Sequence, residues 1–216
     1  MRSLLLLLLS APAASAELFF SQLFTVNKLV PDNSTTGLTS SQTINSDITS
    51  ISSVQVTLNM SGGWNGDLYA YLAHDSGFTV LLNRIGSTSD DAFGSGSSGF
   101  NVTFGDDWDD IHTASFSDGD PIVGYFSPDG RNVSPFSVTD NSSRTAFLSS
   151  FTGLAGSGLW ELFVADLSGG DVANLDSWNL EIAGTTSTAI PEPSSILPLA
   201  GLFAAAVLRR QRRRGC

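Results

Sequence analysis

One cysteine, two histidines and a single lysine in 216 residues remove several chemistries at the outset. A lone thiol cannot make a disulfide framework or a cysteine-based zinc site within the monomer. His74 and His112 leave little room for a histidine-rich metal site, and they are the only imidazole bases open to a serine-type triad. No Gly-x-Ser-x-Gly elbow is present. Basic residues are equally scarce: residues 17–190 hold Lys28, Arg84, Arg131 and Arg144 against 20 carboxylates, a net charge of −16. That balance excludes a nucleic-acid partner, because neutralising phosphates needs a basic face. Helical periodicity is also missing, since no interior window of about 12 residues keeps a 3.6-residue apolar repeat.

What is present begins with the two ends, which read as address labels. Met1, Arg2 and Ser3 precede an apolar stretch from Leu4 to Leu9 and a small-residue segment in which Ala14 and Ala16 hold the small-x-small positions. This is the pattern of a secretory signal peptide cleaved after Ala16, and its apolar run is too short to span a bilayer. The expected mature chain begins at Glu17, exported by the general secretion machinery. At the other end a polar linker, 184–190, leads to Pro191-Glu192-Pro193, an apolar segment from Ser194 to Leu208, and Arg209, Arg210, Arg212, Arg213 and Arg214. Arginines after an apolar helix act as a membrane stop on the cytoplasmic side. A helix over 194–208 reaches only ~22 Å against a ~30 Å hydrocarbon core, so this short transmembrane helix suits a temporary hold. Cys216 reads as an incidental residue of the tail.

The tail over residues 189–215 resembles the PEP-CTERM sorting signal of Gram-negative bacteria: Pro-Glu-Pro triplet, alanine- and leucine-rich helix, arginine cluster. The resemblance implies recognition by an exosortase and export toward the cell surface or an exopolysaccharide matrix. A plain C-terminal tail anchor is the alternative.

Between the labels, residues 17–183 read as one all-β domain. Val54, Val56, Leu58 and Met60 alternate with Gln55, Thr57 and Asn59, as in a half-buried strand. Runs at 68–72, 78–82, 100–104, 159–164 and 178–182 follow, separated by Gly- and Ser-rich turns. Leu18 to Val30 and Val133 to Val138 are further expected strands. Short strands with frequent turn signals predict a β sandwich or related barrel.

The order of Gly66-Asp67-Leu68, Gly158-Leu159-Trp160, Asp166, Gly170-Asp171 and Leu175-Asp176-Ser177-Trp178 is similar to that of the P domain, also called the Homo B domain. That domain is the jelly-roll-like β sandwich following the catalytic domain of subtilisin-like proprotein convertases. The resemblance covers most of the mature chain and is to a non-catalytic domain. Ala173 stands where the family pattern has a turn glycine, so a looser last hairpin is expected.

Asp67, Asp166 and Asp171 match acids recurrent in that family. Hairpin-building and calcium ligation are both open to them. Asp106-Asp107-Trp108-Asp109-Asp110 and Asp118-Gly119-Asp120 concentrate further acids, readable as solvated loops or as a calcium site. His74, beside Asp75 at a turn after a strand, reads as a solvated surface histidine. Trp160 and Trp178 fall in alternating strands and are assigned to the core. Trp64 and Trp108, in Gly- or Asp-rich loops, either pack or stack on a sugar ring. Three functions follow as expectations: a non-catalytic surface or matrix protein with a structural or adhesive module, a calcium-dependent carbohydrate-binding module, or an accessory domain to a separate secreted protease.

Overall fold

The computed structural model describes residues 17–186. Ala14 and Ala16, Pro191-Glu192-Pro193, the apolar segment 194–208 and the terminal arginines lie outside those residues. Among the described residues there is no α-helix, and no helix long and apolar enough to cross a membrane.

The strands are β1 (Glu17–Leu29), β2 (Ser34–Ile44), β3 (Ser50–Gly62), β4 (Leu68–His74), β5 (Gly77–Asn83), β6 (Phe100–Phe104), β7 (Ile122–Phe126), β8 (Gly158–Asp166) and β9 (Ala173–Thr185). They form a five-stranded sheet in the order β1-β9-β3-β6-β7 and a four-stranded sheet in the order β2-β8-β4-β5. With β7 set aside, this is the strand order of a jelly roll, two four-stranded antiparallel sheets between which the chain repeatedly crosses. β7 is an addition on the edge, paired parallel to β6.

Period-two alternation decides which side chains meet. On β3, Val54, Val56, Leu58 and Met60 are buried while Gln55, Thr57 and Asn59 face outward. On β9 the inward residues include Trp178, Leu180 and Ile182, and on β8 they are Trp160, Leu162 and Val164. Trp160 and Trp178 are both fully buried, as expected for core residues. Each indole N–H finds an acceptor: Trp160 Nε1 donates to Gly156 O at 3.1 Å. Trp178 Nε1 donates across the core to Ser40 Oγ of β2 at 3.0 Å, tying one sheet to the other.

Three features differ from the sequence reading. The expected strand at 133–138 does not form. Ser134 O and its hydroxyl instead accept the amides of Ser137 and Phe136, a turn around Pro135, which has no N–H to offer a ladder. β9 runs through Thr185, taking in two residues read as linker, because Thr185 pairs with Glu17 on one side and Ser50 on the other. Ala173 is fully buried, and its methyl group lies over Gly63, a residue at φ +77 where a side chain would approach that methyl to 2.9 Å. Space for the alanine is therefore made by a glycine on the neighbouring segment.

Candidate functional site

Asp166 ends β8 on the inward face, two residues beyond Val164, at a position where alternation calls for a hydrophobe. It pairs in register with Leu68 of β4 and Ser34 of β2, so its carboxylate sits at one end of the core. The residue is 1% exposed, and neither carboxylate oxygen has a well-formed hydrogen bond. Burial pushes its pKa up to about 6. The nearby Asp32 and Asp67 charges add to the shift, and the Ser168 and Ala173 amides offset only part of it. Asp67 ends a short 3-10 turn, Asn65–Asp67, whose main chain holds the β8–β9 loop through Leu167 N–H to Asp67 O at 3.0 Å. Burial raises the Asp67 carboxyl too, against the pull of Arg84, whose Nη2 lies 3.4 Å from its Oδ1. Asp171 is exposed on the loop and acts on Asp67 only through its charge. Of the three expected acids, then, Asp166 is buried at the sandwich end, Asp67 is half-buried near enough for its charge to act on Asp166, and Asp171 is exposed. Among the described residues no three histidine, cysteine or carboxylate side chains converge as a closed ligand set.

In the acidic run at 106–110, Asp107 and Asp109 are exposed and Asp106 and Asp110 are taken up structurally. Asp106 accepts the amides of Leu148 at 2.9 Å and Ser149 at 2.7 Å, capping a second 3-10 turn. Asp110 binds Arg131 Nη2 at 2.9 Å and lies 3.6 Å from Arg144 Nε. Sequence reasoning missed this network, whose centre is fully buried Asp129. That carboxylate receives His112 Nδ1 at 2.7 Å, the Asn83 amide at 3.1 Å and Arg131 Nη1 at 3.3 Å. Burial pulls the Arg131 pKa down, but the hydrogen bonds and charges of Asp110 and Asp129 outweigh it and the net direction is upward.

Neither histidine offers a free nitrogen. The other nitrogen of His112, Nε2, meets Ser87 O at 2.9 Å. His74 corrects the expectation of a solvated side chain. It is buried, stacked at 4.0 Å and 3° on Trp160, with its ring nitrogens at Leu159 O and Ala155 O, 2.9 and 2.8 Å away. The signal was in the sequence: the alternation of Leu68, Ala70 and Leu72, continued one step, reaches His74.

Trp64 and Trp108 lie at opposite ends of the five-stranded sheet. β3 and β6 are antiparallel with Met60 opposite Phe100 and Val56 opposite Phe104, and the tryptophans follow Met60 and Phe104 respectively. Trp64 packs against Gly96. Trp108 covers Gly105 and meets Tyr125 edge-on at 5.1 Å. It walls a groove of about 320 Å³ with Ser53, Gln55, Asp107, Ser149 and Thr152. A second groove of about 340 Å³, between Phe19 and Glu181, shares Ser53 and Gln55.

Both grooves open onto the outer face of the five-stranded sheet. One row there reads Leu23, Asn179, Thr57, Thr103, Tyr125, and the next Thr25, Ser177, Asn59, Asn101, Val123. Side-chain bonds order it: across strands, Thr57 and Thr103 hydroxyls at 2.8 Å and Asn59 Nδ2 to Ser177 Oγ at 3.3 Å; along β9, Asn179 Nδ2 to Glu181 Oε1 at 3.1 Å. Exposed apolar residues mark its two margins, Phe19 and Leu23 on β1, Val123 and Tyr125 on β7.

No protein-family model matches the chain, and no curated protein does. Among solved structures it is similar to a serine protease of Aeromonas sobria, at 13% identity and a TM-score of 0.46 over 81% of this chain. It is also similar to a structure of the Aeromonas sobria serine protease in complex with a chaperone, at 14% identity and a TM-score of 0.45 over 81% of this chain. The chain spans 28% of the length of each matched chain. At that level of likeness no role is carried over from either.

Proposed function

We propose that this chain is an exported, non-catalytic module of a bacterial cell surface or extracellular matrix, and that it adheres to neutral polysaccharide through the outer face of its five-stranded sheet. In this reading residues 191–216, beginning with Pro191-Glu192-Pro193, are an exosortase sorting signal, and the first 16 residues are removed on export. Supporting the non-catalytic part is the engagement of both ring nitrogens of His74 and of His112.

One observation carries the ligand: an array of hydroxyls and amides bonded to one another across the sheet, with aromatic rings at its margin. Sugars present hydroxyls at their rims and C–H groups on their faces, which such an array and an edge tryptophan recognise together. Charge argues for a neutral polymer. Asp106 and Asp107 line the first groove and Glu181 the second, and a domain so rich in carboxylates repels polyanions.

The test is native electrophoresis of the mature protein, taken from the cell-surface fraction, through gels containing neutral polysaccharide from the producing cells. The expected intact mass lacks residues 1–16 and the tail, and the polymer is expected to retard the protein. Asn101→Lys and Trp108→Ala are each expected to reduce the retardation at least several-fold while leaving the melting temperature within a few degrees. Mobility unaffected by polymer, or retardation of both variants equal to the parent's, overturns the ligand assignment.

A further inference from the structure

The buried end of β8 carries an unsolved charge problem. Asp166 is a carboxylate at a core position, 1% exposed, with no well-formed hydrogen bond at either oxygen and only the Ser168 and Ala173 amides beside it, which carry no charge to balance its own. Burying an acid uncompensated is costly, and proteins relieve the cost with a proton, a basic side chain or a cation. No basic side chain of the described residues serves it. Arg84 is committed to Asp67, Gly66 O and Ala92 O. Arg131 and Arg144 are committed to Asp110 and Asp129. Lys28 is exposed on β1.

We infer that the carboxylates of Asp166 and Asp67 hold a hard divalent cation of the calcium class at this end of the sandwich. Asp166 lies buried at the end of β8, and Asp67, whose charge acts on it, stands at the end of the 3-10 turn. Asp32 adds negative charge from the β1–β2 turn, where its carboxylate is 3.4 Å from Gly170 N of the β8–β9 loop. Calcium takes six to eight oxygens in flexible geometry, so two carboxylates suffice when main-chain oxygens and solvent complete the shell. Three chain segments meet here: the turn before β4, the end of β8 and the β8–β9 loop. An ion would fasten them together.

The experiment uses the mature domain stripped with chelator, then titrated with Ca²⁺ or Mg²⁺ and followed by native mass spectrometry and thermal melting. The expected result is one bound Ca²⁺ and a rise in Tm of about 5–10 °C at saturating ion. Asp166→Asn is expected to abolish both effects and, once stripped, to melt at or above the stripped parent, because its amide carries no charge to bury. If that variant does not fold, Asp67→Asn supplies the same comparison from a less buried position. Asp171→Asn is expected to keep the response. The inference is overturned if no ion binds and Tm is indifferent to it, the result a proton on Asp166 would give. It is equally overturned if the calcium response survives in Asp166→Asn or Asp67→Asn.

Discussion

Asp166 and His74 are polar residues at the inward ends of their strands, and they solve burial in opposite ways. His74 meets acceptors at both nitrogens and lies flat on Trp160. Asp166 has no well-formed hydrogen bond, the Ser168 and Ala173 amides offsetting only part of its burial, so in protein stripped of divalent ions its proton becomes the balancing charge. The folded state holds that proton more tightly than the unfolded chain, whose aspartate has the ordinary value of 3.8. Its stabilising contribution is therefore complete below 3.8 and is lost as pH rises through about 6. That difference corresponds to roughly 3 kcal/mol. Urea unfolding of the stripped protein is expected to show a midpoint that falls between about pH 4 and pH 7, with the slope flattened in Asp166→Asn. A midpoint that rises steadily across that range would contradict the placement of this carboxyl.

Among the elements, β2 depends most on one residue. Its register with β8 breaks between Ser34 and Leu38, and Gly37 occupies the break at φ +57. A methyl group there would come within 2.5 Å of both the Phe163 ring and Val164 O. Gly37→Ala is expected to lower stability by roughly 2–4 kcal/mol, from left-handed strain and overpacking together, measurable as a drop in the urea midpoint. The same strand shows where reading a sequence for strands fails. β3 and β6 were legible because their inward positions are apolar, and β8 because Trp160, Leu162 and Val164 keep the alternation up to Asp166. β2 places Ser40 inward, where its hydroxyl serves the Trp178 indole, so an apolar-polar pattern never forms. β7 hides differently: Val123 and Tyr125 face outward at the sheet margin, which leaves a run without alternation. At 133–138 the error runs the other way, because apolar spacing outweighed the turn chemistry of Ser134 and Pro135.

On the scale of the whole molecule, the long connections at 105–121 and 127–147 contain little regular structure and are held by the Asp129 network. Asp129→Ala would leave buried Arg131 and His112 facing a void. The expected cost is about 3–5 kcal/mol. Hydrogen exchange is expected to quicken first across 127–146, and uniform exchange throughout the domain would show that the network is not local to those loops. None of this was readable in sequence, since His112, Asp129, Arg131 and Arg144 share no spacing and are gathered only by the crossing of the chain. The candidate site was legible as a list of acids; that Asp166 points inward and Asp171 outward required the end of β8. One consequence of the strand order is mechanical. β9 lies between β1 and β3 and is hydrogen-bonded to both along most of its length. Ladder bonds run perpendicular to the strands, so a pull on the chain beyond Thr185 loads both ladders in shear at once instead of unzipping them singly. A domain tethered through that strand would bear drag from flowing water at its strongest seam.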